Sequence, residues 1–414
     1  MSTPVTQLLD VDASMTPVEV GTAARAWLEE HLPDAWRTAH AQGPVALRRV
    51  YEQIGADWFV TLGESGLATP TWPREYGGLG LGADAAAVVA DELATYDAGR
   101  PMDDFPGVAL GGPTIIAWGT DEQKGRYLRP LALGQERWCQ LFSEPGAGSD
   151  LASLATRAVQ QDDGSWVVTG QKVWNSFAHI SQLGMLMART DPDLPKHQGI
   201  TYFLLDMSTP GVEVRPLKQL NGEAEFNEVF LTDVVVPDAA RLGPVGAGWK
   251  VGLTTLMAER SGLSGRPGVG PAMTDDLARR ARATGAWDDP VRRDRLMGAF
   301  VAEKVLQMTT VQAFVELGTR EPGSEGSVRK IAHSSLEEMV GRLAADIEPF
   351  GLAGIDPDDA GAVSGRRAFL SSKILSIAGG TSEIQRNIIG ERVLGLPREV
   401  DPHVHEPFRE RPRS

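Results

Sequence analysis

Cysteine is almost missing: Cys139 is the only one in 414 residues. No intramolecular disulfide can form and no cysteine cluster can hold a metal, so a reducing cytoplasm is the expected compartment. Histidine is sparse, and its seven residues show no metal-ligand spacing. No metal is expected, and His179, His197 and His333 read as structural or surface residues. Positive charge is also short. Forty Lys and Arg against 55 Asp and Glu leave a formal charge of −15, which excludes broad attraction to nucleic acid or to an anionic membrane surface. An anionic small ligand would need backbone donors or a few placed cations. No apolar run approaches the roughly 20 residues of a membrane-spanning helix, and residues 1–16 carry acids rather than a basic, apolar leader pattern. What remains is a chain with 42% hydrophobic residues, enough to bury a core, at a length that suggests two or three domains.

The patterning divides into three. Up to about residue 133 it is mostly helical, with apolar residues at helical spacing over 23–32 and 46–62, a Pro- and Gly-rich break over 70–82, and a further helix over 83–96. Thr120 with Gln123 predicts a capping box. Residues 165–170, 199–206 and 228–236 are rich in β-branched and aromatic residues and are separated by turn signals, which predicts a compact β domain. From residue 248 the chain is helical again, over 249–263, 289–317, 327–347 and 366–377. A second capping box, Ser382 with Gln385, opens a last helix. The charged tail after Asp401 is expected to be mobile or used in contacts. This is a helical–β–helical order over residues 1–136, 137–242 and 243–414, not the strand–helix alternation of a doubly wound sheet.

Two segments can carry chemistry. Residues 143–150 read Ser-Glu-Pro-Gly-Ala-Gly-Ser-Asp. Gly146 and Gly148 let backbone approach a ligand, and Ser143 and Ser149 add hydroxyls. Such a turn can hold flavin ring oxygens or a phosphate, and it can equally be a turn with no ligand. It lacks the strand–turn–helix setting of a dinucleotide fingerprint and the lysine of a P-loop. In residues 171–177, Trp174 can cover one face of a flat cofactor and Ser176 can reach a ring nitrogen; the competing reading is a strand that packs Val173 and Trp174 into the core.

Taken together and in order, these segments resemble the acyl-CoA dehydrogenase family. The likeness also covers Trp-Pro-Arg-Glu-Tyr-Gly-Gly at 72–78, Gly-Thr-Asp-Glu-Gln-Lys at 119–124, Gly-Trp-Lys at 248–250 and Gly-Thr-Ser-Glu-Ile-Gln-Arg at 380–386. The resemblance implies an α+β fold with an N-terminal helical domain, a middle β-barrel domain and a C-terminal four-helix bundle. It implies one FAD per active subunit, an acyl-CoA substrate, an electron-transfer flavoprotein as partner, and a homotetramer or dimer of dimers. Carried over by position, Gln140, Phe142, Ser143, Gly148, Ser149 and Asn175 touch the flavin end, Trp174 packs on the isoalloxazine and Ser176 faces N5. Glu348, Gly351, Thr381 and Glu383 reach the adenine and pyrophosphate of a neighbouring subunit's FAD; Thr381 at a helix N-terminus suits phosphate. Ser149, Arg260 and Gly380 are assigned to the substrate.

The family's reaction removes a proton from Cα of a thioester and a hydride from Cβ, so it needs a carboxylate base. Many members place that glutamate just before the Gly-Thr-Ser segment. The residue there is Gly379, which cannot take a proton. A second subset, which includes isovaleryl- and long-chain-type enzymes, supplies it from a helix, immediately before an arginine. Met257-Ala258-Glu259-Arg260 fits that pattern, and Glu259 is the expected base. Its helical neighbours Thr255, Leu256, Gly262 and Leu263 are small or apolar, which predicts a desolvated carboxylate with a raised pKa. Two departures stand out. An Arg-x-x-Phe-Gly pyrophosphate motif is not evident, since residues 282–286 lack the Phe, and Gln140 stands where an aromatic residue is common. Rival readings are an oxidase, monooxygenase or desulfinase on the same scaffold, or a non-catalytic subunit of a mixed oligomer.

Overall fold

The computed structural model describes residues 7–263, 273–317, 326–347 and 360–411. The chain falls into two compact units. One holds residues 1–74, 78–99 and 260–397; the other holds 75–77, 100–259 and 398–414.

In the first unit, α1 (Pro17–His31), α2 (Asp34–Gln42), α3 (Pro44–Glu64) and α4 (Ala83–Ala94) surround an aromatic core. Along α3 the apolar residues Leu47, Tyr51, Ile54, Trp58 and Leu62 recur three or four apart and so line one face. Trp58 and Trp36 are buried with their ring N–H groups satisfied by the carbonyls of Ala98 and Tyr96, at 2.8 and 3.0 Å, which keeps burial of a polar atom from costing stability. Thr16 and Glu19 form a capping box on α1 that the sequence reading did not anticipate.

The later helices of this unit are α8 (Met273–Thr284), α9 (Pro290–Leu317), α10 (Gly326–Ile347), α11 (Ala360–Ser371), the single turn α12 (Ile374–Ile377) and α13 (Ser382–Ile388). Helix α10 packs against α8, α9 and α11, presenting Leu336, Val340, Leu343, Ala344 and Ile347 to the core. Gly341 permits the approach of α11: a Cβ there would lie 2.8 Å from the Ser372 Cβ. Buried Glu303 on α9 accepts from the backbone N–H groups of Met273 and Thr274 and so caps α8 from a neighbouring helix. The helix expected over 366–377 is two pieces, α11 and α12. The last cap lies one residue earlier than expected: the Thr381 hydroxyl, not that of Ser382, accepts from Ile384 N–H.

The second unit is built on a sheet of eight strands: β1 (Trp138–Leu141), β2 (Arg157–Gln160), β3 (Trp166–Val173), β4 (Leu183–Arg189), β5 (Ile200–Asp206), β6 (Val212–Pro216), β7 (Asn227–Val236) and β8 (Arg241–Leu242). Their order is β6-β7-β3-β2-β4-β5-β8, with β1 beside β4. The three strands expected from composition are β3, β5 and β7. Strand β4 escaped because Leu-Gly-Met-Leu-Met-Ala-Arg has no β-branched residue; every one of its residues is buried, so it shows a continuous apolar run in place of alternation. This unit also carries α5 (Gly112–Trp118), α6 (Asp121–Ala132), whose Thr120–Gln123 capping box forms as expected, and most of α7 (Gly248–Leu263). Among the described residues, no helix is long and apolar enough to cross a membrane.

The sheet creates a slot. β5 takes one edge of β4 along its whole length, while β1 and β2 share the other edge, pairing with residues 183–186 and 189. The chain between them, residues 142–156, must therefore leave the sheet. That excursion carries the Ser-Glu-Pro-Gly-Ala-Gly-Ser-Asp turn.

Candidate active site

A buried ion pair anchors this turn. Glu144 and Lys172 are 8% and 0% exposed and meet at 2.8 Å. Lys172 Nζ also donates to the Phe142 carbonyl at 2.9 Å, while the Glu144 carboxylate accepts from the N–H groups of Ala155 and Thr156 at 2.7 and 2.9 Å. Desolvation pushes the Glu144 carboxyl up, but the Lys172 ammonium and these donors outweigh it and hold it below its usual range. Glu144 and Ala147 exchange backbone hydrogen bonds at 3.0 Å, closing a tight turn. The sequence reading missed this pair, although both residues lie inside its two motifs.

The glycines of the turn need an explanation. Neither Gly146 nor Gly148 has a positive φ, and a Cβ at either would meet nothing within 4 Å. Elsewhere glycine is forced, as at Gly78, where a Cβ would lie 2.1 Å from the Trp72 carbonyl oxygen. Nothing among the described residues demands glycine at 146 and 148. A ligand that approaches this exposed backbone closely would demand it. The hydroxyls of Ser143 and Ser149 have no hydrogen-bond partner among the described residues, which fits donors kept for a bound group.

The second motif follows β3. Trp174 is 63% exposed and holds a left-handed φ of 65°, and Phe177 has φ 59°. Such backbone is costly for a bulky residue. It turns the Trp174 ring outward, where it touches Phe226 edge-on at 6.2 Å and leaves a face open to a flat partner. Between the two, Asn175 is 2% exposed. Its amide donates to the Gln140 carbonyl at 2.7 Å, its N–H donates to the Asn227 carbonyl at 3.0 Å, and its own carbonyl accepts from the Asn227 amide at 2.7 Å. Asn175 Oδ1 is buried without a hydrogen-bond partner among the described residues. Ser176 is half-buried and its hydroxyl is likewise unpaired among the described residues. Open glycine backbone, unpaired hydroxyls and an exposed indole together form a donor-rich surface that suits a flavin ring and its oxygens.

Glu259 joins this surface. The Gln140 amide, on β1, donates to Glu259 Oε2 at 3.4 Å. One turn earlier on α7, Thr255 is fully buried and bonds to Thr114 at 2.9 Å and to the Tyr202 hydroxyl at 3.1 Å, which sets the rotation of the helix and with it the half-buried Glu259. Arg260 lies in α7, but its side chain falls outside the described residues, as do Glu348 and Gly351.

The remaining expected residues lie in the other unit. Thr381 caps α13, and the Gly380 carbonyl accepts from buried Lys330 at 2.7 Å. Exposed Glu383 pairs with Arg386 at 3.4 Å. Gly379 has φ 63°, a conformation in which a glutamate would be strained.

The charged tail is docked rather than loose. The N–H of Phe408 donates to the Leu194 carbonyl at 3.0 Å, and the Phe408 ring lies 3.8 Å from the Arg189 guanidinium. Arg189 in turn donates to the carbonyls of Ala152 and Leu154 at 2.7 and 3.2 Å, at the far end of the excursion.

Comparison with known proteins identifies the family. Models of the acyl-CoA dehydrogenase N-terminal, middle and C-terminal domains match residues 18–135, 139–234 and 246–394. The chain is 38% identical over 385 residues to acyl-CoA dehydrogenase IpdE1 of Mycobacterium tuberculosis, covering 92% of this chain and 98% of that protein. It is 39% identical over 350 residues to acyl-CoA dehydrogenase FadE34 of the same organism, covering 82% of this chain and 46% of that one. Among solved structures, the Tcur3481-Tcur3483 steroid ACAD superposes with a TM-score of 0.77 at 28% identity, covering 92% of this chain and 98% of that one. The ChsE4-ChsE5 complex from Mycobacterium tuberculosis gives 0.74 at 28%, covering 94% and 100%. The expected order of N-terminal helical, middle sheet and C-terminal helical domains is thus the fold of this protein, which belongs to the acyl-CoA dehydrogenase family of FAD-dependent oxidoreductases.

Proposed function

We propose that this chain oxidises an acyl-CoA to its trans-2-enoyl-CoA, with Glu259 as the base that takes the Cα proton. Bound FAD supplies the acceptor for the hydride that leaves Cβ. The observation that carries this reading is the Glu259 carboxylate within reach of Gln140, on the strand that runs directly into the 143–150 turn. A carboxylate at that place fits α-proton abstraction and weighs against an oxygenase or a non-catalytic subunit.

The cofactor residues follow. Gln140, Phe142, Ser143, Gly148, Ser149 and Asn175 would border the flavin end, with Trp174 on the isoalloxazine and Ser176 toward N5. Thr381, Glu383, Glu348 and Gly351 are assigned to the adenine and pyrophosphate of a neighbouring subunit's FAD, and Ser149, Arg260 and Gly380 to the substrate. The domains would run 1–136, 137–242 and 243–414.

For the substrate, a bulky ring-bearing or branched acyl-CoA is favoured. Gly379 carries no side chain at the position where many family members carry the base, and one structural relative is a steroid ACAD. An electron-transfer flavoprotein is the proposed acceptor of the two electrons. Helix α9 leaves Met297, Val301, Val305 and Met308 between 40% and 70% exposed along one stripe, which supports assembly into a homotetramer or dimer of dimers, or with a second chain as in the ChsE4-ChsE5 complex. The buried Cys139 fits a reducing cytoplasm.

The test is anaerobic mixing of the flavin-loaded protein with butyryl-, octanoyl-, isobutyryl- and steroid-side-chain acyl-CoAs. Bleaching of the flavin band with an enoyl product, fastest for the bulky thioesters, is expected. Bleaching by none of them would overturn the dehydrogenase reading.

A further inference from the structure

Gln140 occupies an unusual place. Its strand neighbours Cys139 and Leu141 are fully buried in the sheet core, so by strand alternation Gln140 faces the other way. Its carbonyl is held by the Asn175 amide at 2.7 Å, and its side chain reaches Glu259 at 3.4 Å. Asn175 lies between Trp174 and Ser176. One residue thus ties the backbone that presents the flavin-facing side chains to the carboxylate on α7.

We propose that Gln140 is a positioning residue for the base: it fixes the Glu259 carboxylate against the strand that enters the flavin turn, and it does so in both protonation states. This rests on the assignment of Glu259 as base. The chemistry favours an amide in this role. A base must cycle between carboxylate and carboxylic acid. Lys or Arg would hold the charged form too strongly. An amide donates through its NH2 to the carboxylate and, after rotating about its last bond, accepts through its oxygen from the acid. It thereby orients the group without adding charge.

The test uses the flavin-loaded protein and the variants Gln140→Leu and Gln140→Asn, the second keeping polarity but withdrawing the donor by one methylene. The first measurement needs no substrate. Infrared difference spectra against Glu259→Gln identify the Glu259 carboxyl, and its titration midpoint is read in each protein. The bond donated to the charged form is charge-assisted and is the stronger of the two, so its loss should raise the midpoint by roughly half to one pH unit, read on the flavin-loaded fraction of each variant. The second is the pH profile of flavin bleaching with the best acyl-CoA of the panel. Its midpoint should move up by the same amount, with a plateau roughly tenfold lower, as expected for a misplaced base. An unmoved infrared midpoint in both variants overturns the proposal, as does flavin loss with an unmoved midpoint, which would make Gln140 a cofactor residue alone. Failure of the underlying reading looks different: Glu259→Gln would then bleach as fast as wild type whatever Gln140 does.

Discussion

Replacing Lys172 by Met tests whether the buried pair holds the cofactor turn. The substitution removes two bonds, to Glu144 and to the Phe142 carbonyl, and strands a carboxylate that is 8% exposed. Breaking a buried pair from one side costs about 3–5 kcal/mol. At roughly 2–4 °C per kcal/mol for 150–250 residues, the transition of the sheet unit should fall by about 6–20 °C at pH 7. Glu144→Gln added to Lys172→Met removes the stranded charge while keeping an acceptor for Ala155 or Thr156, and should recover about 1–2 kcal/mol. The pH dependence has a definite sign. In the wild type the Glu144 carboxyl is lowered when folded, so its contribution is present above the ordinary carboxylate range and is lost as pH falls through the lowered value. In Lys172→Met, desolvation is unopposed by a cation and the same carboxyl rises, so its penalty disappears on acidification. The gap between the two proteins should therefore narrow from pH 7 toward pH 4 in calorimetric scans. A drop under about 2 °C at pH 7 that does not change with pH would refute the reasoning.

Three further outcomes are expected. Trp174→Gly should leave the cofactor-free protein unharmed or more stable by about 1 kcal/mol, because it relieves a left-handed φ, yet weaken FAD binding measured by flavin fluorescence. Gly148→Ala should fold normally, having open space at its Cβ, but purify with less flavin by absorbance ratio; full occupancy would show that the bare backbone serves no ligand. Cys139, whose thiol burial pushes up to about 12, should resist a thiol reagent at pH 8 until the protein is unfolded.

The sequence was most legible where patterns are local. The Thr120 capping box, the β-branched runs of β3, β5 and β7, and the long helices α9 and α10 all lie where spacing puts them. It was least legible where tertiary contact decides. Strand β4 looks helical in composition and is made a strand by neighbours on both edges. Helix α8, with its cap lent by Glu303, has no such cap in its own sequence. The sequence left the tail open between mobility and contact, because the cation–π contact of Phe408 with Arg189 joins residues far apart in the chain. At the candidate site, the motifs named Ser143, Gly148, Trp174 and Ser176 directly. They were silent on Lys172 and Asn227, which hold the motifs in place, and on the reach of Gln140 to Glu259, which depends on the packing of α7 through Thr255.

The central claim is that Glu259 removes the substrate proton. Wild type and Glu259→Gln, loaded with equal flavin, are mixed anaerobically with the acyl-CoA that wild type bleaches fastest. A loss of about 10²–10⁴-fold in bleaching rate is expected when a general base is removed; bleaching at the wild-type rate would contradict the account.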